Sequence, residues 1–109
     1  MMKRINTQYR SSEEISLEAL QEFLQEGIYE EDFVVLYDDE SSEDYIQMAE
    51  MGGKFVLEVR LHTEKDFQHF RSYWDTAEET TPIFVAFYNN QPIDFEYWEE
   101  VTQEFKEEN

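Results

Sequence analysis

The amino-acid sequence predicts an α+β domain: a sheet of about five mostly antiparallel strands carrying three helices in two layers, in the order β-α-β-β-β-α-β-α. Three observations support this class. A Gly-Gly pair separates two extended runs, apolar residues recur at helical spacing in three other stretches, and aromatic residues make up 17% of the 109 residues, enough to supply a core from a few large side chains. No repeat, low-complexity tract or Pro/Gly-rich linker divides the chain, so residues 1–109 are expected to form a single domain.

The first element is a short strand from Arg4 to Tyr9, expected at a sheet edge, with Ile5, Thr7 and Tyr9 on one side by alternation. Ser16 suits a helix N-cap, and Leu17, Leu20, Phe23 and Leu24 share the apolar face of the helix it opens, with Gly27 expected to end it. The run Phe33-Val34-Val35-Leu36-Tyr37 is short and rich in β-formers, hence a central strand. Tyr45 to Met51 and Lys54 to Leu61 then form a hairpin about Gly52-Gly53, which tolerate the positive φ of a tight turn. Pairing Met51 with Lys54 sets Met48 against Leu57 and Ile46 against Val59 on a core face. The same register sets Gln47 against Glu58 and Tyr45 against Arg60 on the other face.

Beyond the hairpin, Thr63 is read as the cap of a second helix in which Phe67, Phe70 and Trp74 recur at helical spacing. Pro82 precedes Ile83-Phe84-Val85-Ala86-Phe87-Tyr88, which reads as a strand buried on both faces. Asp94 then caps a last helix, with Phe95, Trp98, Val101, Thr102 and Phe105 on one side.

Charge narrows the function. With 27 acidic against 8 basic residues the net charge is −19, a field that repels phosphate backbones and anionic lipid and speeds encounter with a basic surface. Direct nucleic-acid binding and membrane binding are therefore not expected. The chain has no cysteine, which removes disulfides and thiolate chemistry and suits a reducing cytoplasm. The opening residues lack the apolar stretch of a signal peptide, and no apolar run approaches the roughly 20 residues that span a bilayer.

Catalytic patterns are missing. His62 and His69 stand seven residues apart with no ligand-spaced partner, the serines offer no nucleophile elbow, and three glycines form no phosphate-cradling loop. Carboxylates are so abundant that close pairs arise by chance and carry no information about acid/base work. The expectation is a protein that is not an enzyme, has no catalytic residues, and takes no metal or other cofactor. The acidic loop Asp38-Asp39-Glu40-Ser41-Ser42-Glu43-Asp44 lacks the glycine and bidentate glutamate of a calcium loop. It reads either as a solvated connector or as a patch facing a basic partner. As a patch it offers Asp38, Asp39, Glu40, Glu43 and Asp44 together with Tyr45, since a tyrosine beside carboxylates supplies rigid contact area with a polar tip. Tyr37, Tyr88 and Tyr97 are further aromatics expected near an edge or acidic face.

The segments Tyr45-Ile46-Gln47, Gly52-Gly53 and Phe55-Val56-Leu57-Glu58-Val59-Arg60, followed by an aromatic-rich stretch and a late Trp98, resemble the small acidic α+β immunity proteins of bacterial polymorphic toxin systems. The likeness spans roughly residues 33–105. It implies a stoichiometric inhibitor that covers the active site of a basic protein such as a toxin nuclease domain, and the chain itself is expected to be a monomer or weak homodimer. It assigns no particular site residues. A phage-type nucleic-acid mimic, of the anti-restriction or anti-CRISPR kind, would share the charge. A structural or regulatory domain and a small hydrolase are the remaining alternatives.

Overall fold

The computed structural model describes residues 3–38 and 43–106. The described chain forms one seven-stranded sheet, antiparallel at every pairing, in the order β2-β1-β3-β4-β5-β6-β7. The strands are β1 (Lys3–Thr7), β2 (Glu13–Ile15), β3 (Phe33–Tyr37), β4 (Tyr45–Met51), β5 (Lys54–His62), β6 (Phe67–Trp74) and β7 (Glu99–Glu100). A helical segment made of α1 (Leu17–Glu22), a π turn (Phe23–Gly27) and α2 (Ile28–Glu31) precedes β3. Helix α3 (Thr81–Tyr88) follows β6, and α4 (Thr102–Lys106) follows β7. None of these helices is long and apolar enough to cross a membrane.

The expected α+β class is therefore present, with a larger sheet. The β4–β5 register matches the sequence reading at each pair named above, Tyr45 opposite Arg60 and Gln47 opposite Glu58 included. Gly52 and Gly53 take φ of 62° and 85°, values that L-residues reach only with strain. Strand β3 is central, between β1 and β4. Strand β1 is internal where an edge was expected, because Glu13–Ile15 adds a further strand outside it. Tyr9 lies beyond that strand and is exposed.

Other expectations are overturned. The stretch around Phe67, Phe70 and Trp74 is strand β6, not a helix: Thr63 closes the β5–β6 turn, its backbone N–H donating to the Asp66 carbonyl at 2.8 Å. Alternation governs this segment, with Phe70, Ser72 and Trp74 on the core side and His69, Arg71 and Tyr73 on the other. The run after Pro82 is helix α3, not a strand. It is entered through a reciprocal bond between Thr76 and Glu79: the Thr76 backbone N–H donates to Glu79 Oε1 at 2.9 Å and the Glu79 backbone N–H donates to Thr76 Oγ1 at 3.3 Å, the arrangement of a capping box. The expected helix from Asp94 shrinks to turns, two strand residues and the five residues of α4. Asp94 caps only a turn, its Oδ1 accepting from the Glu96 N–H at 3.0 Å.

One face of the sheet carries the core. Ile5, Val34, Leu36, Ile46, Met48, Leu57 and Val59 are fully buried against Leu20, Leu24, Ile28 and Phe84, and burying a side chain of this size contributes about 1.5–3 kcal/mol. Phe95 stacks on Phe70 at 4.0 Å between centroids and meets Trp98 edge-on at 5.1 Å. Gly27 does not end the first helical segment. Its φ is helical, the helix runs on to Glu31, and Asp32 with φ 64° terminates it. The small residue is required because a Cβ at Gly27 would stand 2.7 Å from the Phe23 ring.

Candidate partner-binding surface

The residues expected to form an acidic patch are split between two faces. Asp38 turns toward the core layer, 3.5 Å from the ammonium of Lys3. Lys3 is buried, also donates to Asn90 Oδ1 at 2.9 Å, and lies 5.5 Å from the centre of the Phe87 ring. Asp44 Oδ1 accepts the His62 backbone N–H at 2.6 Å and faces His62 Nδ1 at 3.0 Å, with Glu43 Oε2 3.9 Å from the same ring. A cavity of about 290 Å³ lies between these groups, lined by Lys3, Asp38, Asp44, Leu61, Phe87 and neighbours on the α3 side. Tyr45 sits on the opposite face, 5.6 Å from the Arg60 guanidinium. Asp39 and Glu40 lie outside the described residues.

That opposite face is open over much of its breadth, and the strand register arranges it in rows. The first row runs Phe33, Ala49, Val56, Tyr73 across β3 to β6; the second runs Asn6, Val35, Gln47, Glu58, Arg71; the third runs Arg4, Tyr37, Tyr45, Arg60, His69. Helix α4 covers only the His69 end, where Phe105 packs on the imidazole at 4.2 Å and Thr102 Oγ1 accepts the His69 backbone N–H at 3.0 Å.

The second and third rows are joined by ions. Glu58 Oε1 lies 2.5 Å from His69 Nε2, and its Oε2 accepts from Arg71 Nε at 2.9 Å. Arg60 Nε donates to His69 Nδ1 at 3.0 Å, so Nδ1 is the acceptor and Nε2 carries the proton donated to Glu58. Burial pushes the Glu58 carboxyl up, but the bonds from His69 and Arg71 outweigh it and hold the group below the usual carboxylate range. For Arg71 burial pushes down, and the Glu58 and Glu104 carboxylates prevail, raising it. Burial likewise raises the Tyr45 phenol, with Arg60 opposing and Glu58 reinforcing. With both oxygens occupied, Glu58 acts as a fixed acceptor that rigidifies the face.

The first row ends in a patch that the sequence reading missed. Phe33, Met51 and Tyr73 are 36%, 65% and 55% exposed, and a groove of about 310 Å³ runs between Phe33, Ala49, Met51 and Val56. Tyr29 is exposed on the helix-bearing side of the sheet, edge-on to the core-facing Phe55 at 5.6 Å, with its hydroxyl donating to Glu78 Oε1 at 2.6 Å. That bond is the main reason the Tyr29 phenol is raised. Glu30, Asp32, Glu50, Asp75, Glu78 and Glu79 are exposed; Glu50 stands opposite the core-facing Phe55, Glu78 holds Tyr29 on the helix-bearing side, and Lys54 pairs with Asp75. Period-two alternation from Phe67 to Trp74 is the signal that would have put Tyr73 on this face. The helical spacing of Phe67, Phe70 and Trp74 masked it.

Among the described residues no group of three or more His, Cys, Asp or Glu side chains is placed to hold a metal ion. The chain matches no protein-family model, no curated protein and no solved structure.

Proposed function

We propose that the protein is a non-catalytic binder of basic proteins, an immunity-type inhibitor that neutralises a basic toxin such as a nuclease. The observation that carries this reading is the uncompensated charge. The 27 acidic residues exceed the 8 basic ones, giving a net charge of −19, and Lys3, Arg10, Lys54, Arg71 and Lys106 each already lie against a carboxylate of the same chain. A surface of this sign attracts a basic active-site channel and accelerates its capture. The likeness of the hairpin segments to immunity proteins agrees with it.

Neutralising Asp38, Asp39, Glu40, Glu43 and Asp44 to Asn or Gln tests the contribution of the loop. The amides keep acceptors for Lys3 and His62, so the fold is expected to survive. Association with a basic nuclease domain encoded beside this chain should slow at least about tenfold at low salt. Stopped-flow rates measured against ionic strength decide it: an unchanged rate in the folded variant removes the loop from the interface.

A further inference from the structure

We infer that the cleft at the β7 margin of the sheet receives an arginine side chain, carried on an extended segment of the basic partner and held by Tyr73, Trp74, Tyr97 and Trp98 with the carboxylates of Asp94 and Glu99. This rests on the reading of the chain as a binder of basic proteins and adds where the partner enters and which side chain it presents.

The cleft exists because β6 outruns its neighbour. Strand β7 pairs only with Phe70 and Arg71, whereas β6 continues to Trp74. The Val101 N–H donates to the His69 carbonyl at 2.8 Å and the His69 N–H donates to Thr102 Oγ1 at 3.0 Å, so the backbone groups of His69 face away from β5. Alternation along the strand turns those of Arg71 and Tyr73 the same way. Arg71 meets Glu99. At Tyr73 the ladder has stopped, because the Trp98 N–H donates to the Phe95 carbonyl at 3.0 Å and closes a turn in place of a further rung. A space of about 470 Å³ opens there between residues 72–74 of β6 and residues 94–99, with Ile83 of α3 at its side. The edge at Tyr73 offers an incoming extended segment one N–H and one C=O, the pairing used in strand addition.

The lining of the cleft selects the occupant. Trp74 and Trp98 are partly buried against the core, and each is fixed in place. The Trp74 indole N–H donates to Ser72 Oγ at 2.8 Å, and Trp98 stands edge-on to Phe95, which stacks on Phe70. Tyr73 and Tyr97 are 55% and 92% exposed. Aromatic faces attract a cation, and a planar guanidinium stacks on them more often than an ammonium does. The charge of the lining agrees. Arg71 takes part in it, but the Glu58 and Glu104 carboxylates already meet its charge, which leaves the exposed Asp94 and Glu99 for an incoming cation. A neutral side chain would leave both carboxylates unmatched. A second copy adding its own margin would bring Glu13-Glu14 or Glu99-Glu100, setting carboxylate against carboxylate.

The chain has two tryptophans, Trp74 and Trp98, and both line the cleft, so its intrinsic fluorescence reports on this place. Two synthetic peptides test the assignment, one alternating Arg with Thr and one with citrulline at each Arg, which keeps the shape and removes the charge. Affinities are read from tryptophan emission at 150 mM NaCl (roughly physiological ionic strength), and amide and indole N–H shifts are mapped by NMR on the unaltered protein. The arginine peptide is expected to bind at least about tenfold tighter, with the largest shifts at Tyr73, Trp74, Tyr97 and Trp98. The double variant Asp94→Asn, Glu99→Gln should weaken it at least about fivefold, whereas Glu13→Gln, Glu14→Gln, the same change of charge at the other margin, should alter it by less than about twofold. Equal affinities for the two peptides, shifts centred elsewhere, or equal losses in the two double variants would overturn the assignment and leave the charge-based function standing. If the arginine peptide fails to bind even at low salt, the reading as a binder of basic proteins itself fails. The shift map needs no variant, so a misfolded variant does not remove the test.

Discussion

At the scale of single residues, Gly27 and the buried ion pairs make the sharpest statements. Replacing Gly27 with Ala would ordinarily favour a helix by up to about 1 kcal/mol. Here the added methyl meets the buried Phe23 ring, and overpacking costs about 1–3 kcal/mol. The net expectation for Gly27→Ala is a loss of about 1 kcal/mol, read from urea unfolding midpoints. A gain in stability would mean the ring moves freely. Glu31 shows the same balance as Glu58: burial pushes it up, and the bonds from Arg10 and Thr7 more than reverse this, leaving it lowered. A carboxyl whose folded value is depressed contributes stability that is present above its unfolded value of about 4.3 and is lost as pH falls through the folded value. Melting temperature should therefore fall steeply below about pH 4. Glu31→Gln should flatten that acid limb, and an unchanged slope in the variant would show that the pair contributes little.

At the scale of elements, the hairpin was legible because each local choice agreed with the global fold: turn glycines, alternation and cross-strand partners all specify one register. The segments after it were not, and the reason is specific. Phe67, Phe70 and Trp74 satisfy helical spacing by coincidence, while the aromatic and β-branched preference for strands and the burial of His69 beneath Phe105 decide for β6. Ile83 to Tyr88 is apolar enough for a buried strand, yet the Thr76 to Glu79 capping box and Pro82 in the first turn of α3 are helix-start signals visible in the sequence. Of the acidic loop, its position between two strands could be read in advance. The place of Tyr45 opposite Arg60, away from the core, followed from the hairpin register, whereas the turn of Asp38 toward the core layer could not be read, since it depends on a contact with Lys3 made across the fold. Thr76→Ala should remove the cap and lower stability by about 1 kcal/mol, checked by thermal melts. No loss would show that Pro82 and the packing of Phe84 and Phe87 suffice to start α3.

At the scale of the whole molecule, charge and packing oppose each other. The core and the saturated ion pairs favour compaction, and the carboxylate excess resists it by self-repulsion. Moderate salt should raise the melting temperature relative to very low salt, because exposed carboxylates are screened while the buried pairs are not. A midpoint that is flat or falls with salt would mean that the acidic groups are dispersed or compensated.

The two margins of the sheet have a consequence for how the protein survives at high concentration. The outermost strands are three and two residues long, and each carries a pair of adjacent glutamates, Glu13-Glu14 on one side and Glu99-Glu100 on the other. An unpaired strand is a template on which another molecule can continue the hydrogen-bonded ladder, and brevity and charge are the usual guards against it. Near the isoelectric point of about 4.1 the molecule as a whole loses the net charge that keeps copies apart, just as the acid-sensitive pairs inside begin to weaken. Acid is therefore the condition under which edge-to-edge association is expected.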